Sequence, residues 1–145
     1  IFKEKASENN LNKIIKNYDI IVDGTDNFKA KFLINKFSLK YKKKLIVGAI
    51  SKFDGHIFSF DFGNKSSPCL KCFYQSEPSD EILNCESEGI LGTTSNIIGS
   101  MQANEVLKNI ISSDRSLHSS ILIVNLKKLE FRIIKFTKKR NCLCN

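Results

Sequence analysis

The chain has 145 residues, 41% of them hydrophobic, which suits the core of one ordinary domain and no more. Its net charge of +8 comes from 23 basic residues, of which only Arg115, Arg132 and Arg140 are arginines, and its basic runs, Lys42-Lys43-Lys44 and Lys138-Lys139-Arg140, sit at element ends, so a solvated surface that attracts an acidic protein partner is expected over a nucleic-acid reader. No apolar run approaches the ~18–20 residues of a membrane span and no signal-peptide pattern opens the chain, so neither nucleic acid nor membrane is expected, and a reducing cytoplasm is.

In chain order, Ile1-Phe2 leads without a start methionine into a polar stretch, as a fragment would. Leu11, Ile14 and Ile15 recur at helical spacing and stop at Tyr18, predicting a short amphipathic helix over residues 8 to 17. Ile20-Ile21-Val22 is a β-branched run of the kind buried on both faces of a parallel sheet, and it leads into Asp23-Gly24-Thr25-Asp26-Asn27, a turn rich in helix-capping residues. Phe28, Phe32, Ile34, Phe37, Leu39 and Tyr41 then populate a helix of about fourteen residues. Residues 45 to 50 form the next buried strand, completing a right-handed βαβ unit of an open α/β sheet.

The alternation of residues 56 to 62 predicts an antiparallel or edge strand with one solvated face. Residues 63 to 94 lack periodicity and form a long crossover loop that holds Pro68, Pro78 and three of the five cysteines. A helix resumes over residues 94 to 111, with Ile97, Ile98, Met101, Val106, Leu107, Ile110 and Ile111 on a broad apolar face. Strands over residues 121 to 124 and 129 to 134 close the chain before a basic tail. His56 and His118 have no partner in view and are expected to be structural or solvated.

The cysteines fall into two close pairs, Cys69-Leu-Lys-Cys72 and Cys142-Leu-Cys144, with Cys85 alone between them. Two short-spaced pairs have the form of two halves of a tetrahedral Zn²⁺ site tying the C-terminus to the middle of the chain. Scattered thiols acting as small hydrophobes are the alternative, and disulfides come third in a reducing compartment. Asp23 and Asp26 stand where open α/β sheets bind ligands, at the carboxyl end of a strand; they suit either capping of the next helix or Mg²⁺ and a nucleotide phosphate.

The blocks Asp19-Ile-Ile-Val-Asp-Gly-Thr-Asp-Asn-Phe28, Lys31-Phe-Leu-Ile-Asn35, Gly48-Ala-Ile50 and Pro68-Cys-x-x-Cys72, followed by Asn84-Cys-Glu-Ser-Glu-Gly-Ile-Leu-Gly92 and Gly99-Ser-Met-Gln-Ala103, together resemble the ThiF/MoeB/HesA family of adenylating enzymes, bacterial relatives of ubiquitin-activating enzymes. The resemblance implies the C-terminal half of a Rossmann-like ThiF-type fold, a mixed sheet with flanking helices and a zinc-stapled C-terminus. It implies adenylyltransferase activity: ATP-dependent adenylation of the C-terminal glycine of a ubiquitin-like sulfur carrier, in thiamine, molybdopterin or thiolation pathways. A cysteine desulfurase or other sulfur donor would be a second partner, and the full-length protein would form a homodimer. By position in the motifs, Asp26 and Asn27 lie beside ATP and Mg²⁺, Cys69, Cys72, Cys142 and Cys144 hold Zn²⁺, and Cys85 corresponds to the cysteine that some members link covalently to the carrier.

The chain departs from the family pattern in three places. No glycine-rich phosphate loop precedes Ile20, so residues 1 to 145 are expected to be a partial adenylation domain without activity of their own. Lys31 stands where arginine is usual, substituting a point charge for a bidentate grip. The last cysteines are separated by Leu143 alone, a tighter bite that leaves Cys144 the least secure ligand. The competing expectations are a non-catalytic zinc-binding module that docks a ubiquitin-like partner and a basic zinc protein that binds nucleic acid.

Overall fold

The computed structural model describes residues 1–74, 78, 89–111, 116–142 and 144. Ser7 starts helix α1, Glu8–Ile14, by exchanging backbone-to-side-chain hydrogen bonds with Asn10, and a 3-10 turn, Ile15–Asn17, leads into β1, Ile20–Asp23. Asn27 caps α2, Phe28–Lys40, by accepting from the Ala30 N–H at 2.8 Å, and α2 returns the chain to β2, Lys44–Ser51, parallel to β1. Then come β3, Asp54–Asp61; a single turn of helix, α3, Leu70–Phe73; the long helix α4, Gly92–Ile111; and an antiparallel hairpin of β4, Ser120–Asn125, and β5, Glu130–Lys135. The strands form one sheet in the order β1-β2-β3-β4-β5, parallel in its first pair and antiparallel in the other three.

Because side chains alternate along a strand, the sheet has two cores. Leu45 and Val47 of β2, Phe58 and Phe60 of β3 and Ile121 of β4 face α1, α2 and α3. Their neighbours Ile46, Ile57 and Val124 face Ile98, Met101 and Val106 of α4. Glycines at two points let α4 lie close to the sheet: a Cβ at Gly48 would run into the Gln102 side chain, and one at Gly55 into Ile98. No helix among the described residues is long and apolar enough to cross a membrane.

Three expectations need correction. β3 is antiparallel as expected but central, not half-solvated: β2 and β4 pair with its two sides, and Ile57, Phe58, Ser59 and Phe60 are all buried. β1 does run parallel to β2, yet it has no second strand partner among the described residues and is not buried on both faces, with Val22 51% exposed. The largest departure is α4. Of its seven apolar residues only Ile98 is fully buried, while Leu107, Ile110 and Ile111 are 54%, 67% and 79% exposed.

The buried stripe of α4 is instead Thr94, Ile98, Gln102, Glu105 and Asn109, at helical spacing, and each polar member has an internal partner. The Thr94 hydroxyl donates to the Lys52 carbonyl at 2.8 Å, and the Gln102 amide donates to the Asp23 carbonyl at 2.9 Å. Glu105 accepts from the Leu117 N–H at 2.6 Å, from the Ser116 hydroxyl and from Lys108 at 2.7 Å, while the Asn109 amide donates to Ser116 at 3.0 Å. Burial works to raise the Glu105 carboxyl, but these hydrogen bonds and the Lys108 charge outweigh it and hold the group below the usual carboxylate range.

A depressed folded-state pKa means stability that is present above the ordinary carboxylate range and lost as pH falls through the lowered value. Glu105→Ala is therefore expected to lower unfolding stability at neutral pH by about 2 kcal/mol, since it strands buried donors. Urea titrations from pH 6 down to pH 3 check this: the wild type and the variant should converge as acid neutralises Glu105, and a constant gap would refute the assignment.

Candidate functional site

β1 and β2 end side by side, and α2 begins above them. Asp23, the last residue of β1, is paired in register with Val47, next to Gly48. Its carboxylate accepts from both the Thr25 N–H, at 2.8 Å, and the Thr25 hydroxyl, at 2.7 Å, a local ring that turns the chain out of the strand. Lys31, in the first turn of α2, reaches back beneath the turn after β1. Its ammonium donates to Asp23 Oδ2 at 3.1 Å and to the Gly48 carbonyl at 2.6 Å, and the two side chains are 3% and 0% exposed. The lysine in the usual arginine position is thus engaged internally, linking β1, β2 and α2.

Above this lock lies a cleft of about 210 Å³. Gly24, Thr25 and Asp26 form one wall, residues 48 to 50 the floor, and Ser95, Ile98, Gly99 and Gln102 of α4 the other wall. Asp26 is exposed at this cleft, and its carboxylate accepts from the Asn27 amide at 3.2 Å. It has no cationic partner among the described residues. Asn27 has both ends of its side chain occupied, the oxygen by the α2 cap and the nitrogen by Asp26. The backbone N–H groups at the start of α2 add a partial positive charge beside the cleft.

Gln102 and Gly48 belong to the site although neither is expected from residue chemistry alone. Gln102 grips the carbonyl of Asp23, and Gly48 leaves the room that Gln102 occupies. The available signal is a glutamine one turn after Ile98 in a helix otherwise rich in isoleucine.

The four paired cysteines converge elsewhere. Cys69 and Cys72 bracket the turn of α3, which α2 holds in place through the Asn35 side-chain oxygen accepting from the Leu70 N–H at 3.0 Å. Cys142 and Cys144 arrive from beyond β5. Cys69 faces Cys142 with sulfurs 3.5 Å apart, Cys72 faces Cys144 at 3.4 Å, and the four sulfurs lie within 4.8 Å of one another. Four thiolates bound to Zn²⁺ at ~2.3 Å would be separated by about 3.8 Å, so the set fits a tetrahedral metal site. The short Cys-x-Cys spacing does not keep Cys144 out of it.

The backbone N–H of Lys139 donates to the Cys72 sulfur at 3.5 Å, as an outer-shell partner of a metal thiolate does. Burial and the neighbouring thiols push Cys69 up to about 11 and Cys144 upward as well. At Cys142 burial acts in the same direction, but hydrogen bonds from the backbone and side chain of Cys144, and from the other two thiols, hold it low. A divalent cation bound by the four sulfurs would hold them as thiolates. Cys85 lies outside the described residues.

All of residues 1–145 match the family model described as ThiF family. A probable molybdopterin-synthase adenylyltransferase of Gracilaria tenuistipitata var. liui is 35% identical over 141 residues, which is 97% of this chain and 39% of that protein. An adenylyltransferase and sulfurtransferase MOCS3 of Culex quinquefasciatus is 32% identical over 141 residues, covering 96% of this chain and 32% of its own length. In fold, the chain superposes on the crystal structure of E. coli MccB with ATP at a TM-score of 0.79 and 16% identity, over 100% of this chain and 44% of that one.

Removing one member of a buried ion pair costs about 3–5 kcal/mol because the other charge is left in the interior. Lys31→Met is expected to lose stability on that scale in urea unfolding. A double variant, Asp23→Asn with Lys31→Met, should recover a large part of the loss; no recovery would mean the two charges do not depend on each other.

Proposed function

Since the chain belongs to the ThiF family, we propose that it forms part of an adenylyltransferase that activates the C-terminal carboxylate of a ubiquitin-like sulfur carrier with ATP and Mg²⁺. The observation that carries this reading is the Asp26 carboxylate, unpaired by any cation among the described residues, at a cleft on the carboxyl edge of a parallel strand pair. The names of two relatives that match over nearly the whole chain support the chemistry. The chain spans 39% and 32% of those relatives' lengths, and the part proposed for residues 1–145 is one wall of the nucleotide site.

In the reaction a carrier carboxylate oxygen forms a bond to the α-phosphorus of ATP while the bond to pyrophosphate breaks, giving an acyl-adenylate. Negative charge gathers on the phosphate oxygens, so catalysis here is alignment and electrostatics. Asp26 would hold Mg²⁺, which supplies charge neutralisation when bound. Asn27 keeps the Asp26 carboxylate at the cleft, and the Asp23–Lys31 lock keeps the turn beneath it from shifting. Gln102 fixes α4 against the same turn, which keeps the cleft narrow.

Cys69, Cys72, Cys142 and Cys144 are proposed to hold one structural Zn²⁺ in a reducing, cytoplasmic setting, a reading supported by the convergence of four free thiols. Cys85 is the candidate for a covalent link to the carrier. The exposed Leu107, Ile110 and Ile111 on α4 support burial of that face in a homodimer. A cysteine desulfurase is the class of enzyme that would supply the sulfur.

Two experiments test this. ATP–pyrophosphate exchange with the complete coding product, Mg²⁺ and a carrier ending in Gly-Gly is expected to fall at least a hundredfold in Asp26→Ala, since electrostatic partners of the reacting phosphates act on that scale. Exchange at wild-type rate would remove Asp26 from the site, and zinc binding with no exchange in the wild type would leave a non-catalytic docking module. Metal analysis should find close to one zinc per chain, and Cys69→Ser or Cys72→Ser should lose it together with thermal stability, because structural zinc contributes folding free energy directly.

A further inference from the structure

The outer face of α2 is built differently from the face it presents to the sheet. Lys29, Leu33, Lys36 and Lys40 follow one another at helical spacing, with Ala30 and Leu39 beside them. This stripe forms one side of a groove of about 1300 Å³ that runs between α2, the segment leading into α1 and the cysteine turn. Five lysines line it, Lys5, Lys29, Lys36, Lys40 and Lys71, against one acid, Glu8, which already pairs with Lys36 at 2.6 Å. Lys5, Lys29 and Lys71 have no acidic partner among the described residues. Between the lysines, Ala6, Ala30, Leu33 and Leu39 give the lining an aliphatic part, beside the polar Ser7, Asn27 and Asn35 and, at the cysteine turn, Cys69 and Cys144.

The volume exceeds the ~300–1,000 Å³ of small-molecule pockets, and the groove is open and elongated along a helix, which suits a length of polypeptide. Nucleic acid fits less well. The lining holds no arginine, and its aromatic ring, Phe32, is only 6% exposed and offers no face for a base to stack on. We propose that this groove is a docking site for an acidic polypeptide segment carrying an aliphatic anchor, with carboxylates against Lys29, Lys71 and Lys5 and the anchor against Ala30 and Leu33. The groove shares no lining residue with the cleft that holds Asp26, and it approaches that cleft only at Asn27, the hydrogen-bond partner of Asp26, so docking here does not require adenylation.

The test uses the purified full chain without ATP and a fluorescein-labelled twelve-residue peptide of glutamates with two leucines, followed by anisotropy. Binding is expected to weaken about tenfold when Lys29→Glu and Lys71→Glu are combined, and to weaken with rising salt. Leucine-to-serine replacement in the peptide should also weaken it, whereas Asp26→Ala should leave it unchanged. Lys29→Gln with Lys71→Gln, giving a smaller loss in the same direction, covers the case in which charge reversal disturbs folding, and circular dichroism monitors that. Absence of peptide binding, equal binding to the lysine variants, or a single-stranded oligonucleotide of matched charge displacing the peptide and binding more tightly would each overturn the proposal.

Discussion

Two opposite charges without access to water, on Asp23 and Lys31, hold together the carboxyl edge of the sheet. In isolation such a pair adds little to stability, because desolvation of both groups offsets most of their attraction. Its effect is on geometry. The ammonium is satisfied only if β1, β2 and α2 are mutually placed so that Asp23 Oδ2 and the Gly48 carbonyl are both in reach, and the other carboxylate oxygen is satisfied only by the Thr25 ring. One arrangement of three elements meets all these demands. The turn that carries Asp26 inherits its position from a lock that never touches solvent.

Helix α4 extends that logic to the opposite face. A helix normally buries its apolar stripe and leaves polar residues outside. Here Thr94, Gln102, Glu105 and Asn109 point inward and act as clamps on the turn after β2, the end of β1 and the segment entering β4. Each clamp is a hydrogen bond in a dry setting, where misplacement by an ångström leaves a buried group unpaired. Gly48 and Gly55 set how closely the helix approaches, so the depth of the cleft follows from two positions that lack a side chain.

Much of the architecture is legible in the sequence because hydrophobic period and secondary structure coincide there. The β-branched run at Ile20, the cap at Asn27 and the alternation around Phe58 each announce an element whose type is right. Environment is less legible than type. Whether β3 is central depends on β4 pairing with it from more than sixty residues away, and residue 58 cannot announce that Ile121 will lie beside it. The inward polar stripe of α4 is hidden for the same reason: Glu105 looks solvent-facing until Ser116 and Leu117 return to meet it. At the site, Asp26 and the cysteine pairs are visible as chemistry at recognisable spacing, whereas Lys31 and Gln102 matter through partners supplied by other strands.

The cysteine cluster joins positions 73 apart in sequence, Cys69 to Cys142. Once a metal bridges the four sulfurs, everything from α3 to the end of β5 becomes a closed ring of chain, fastened at its base. A protease cut in the segment between α3 and α4 would then open the ring without freeing either piece, since the fragments stay joined by the clasp and by the pairing of β3 with β4. β4 would thus stay paired with β3 and fastened through the clasp independently of the covalent path from α3 to α4.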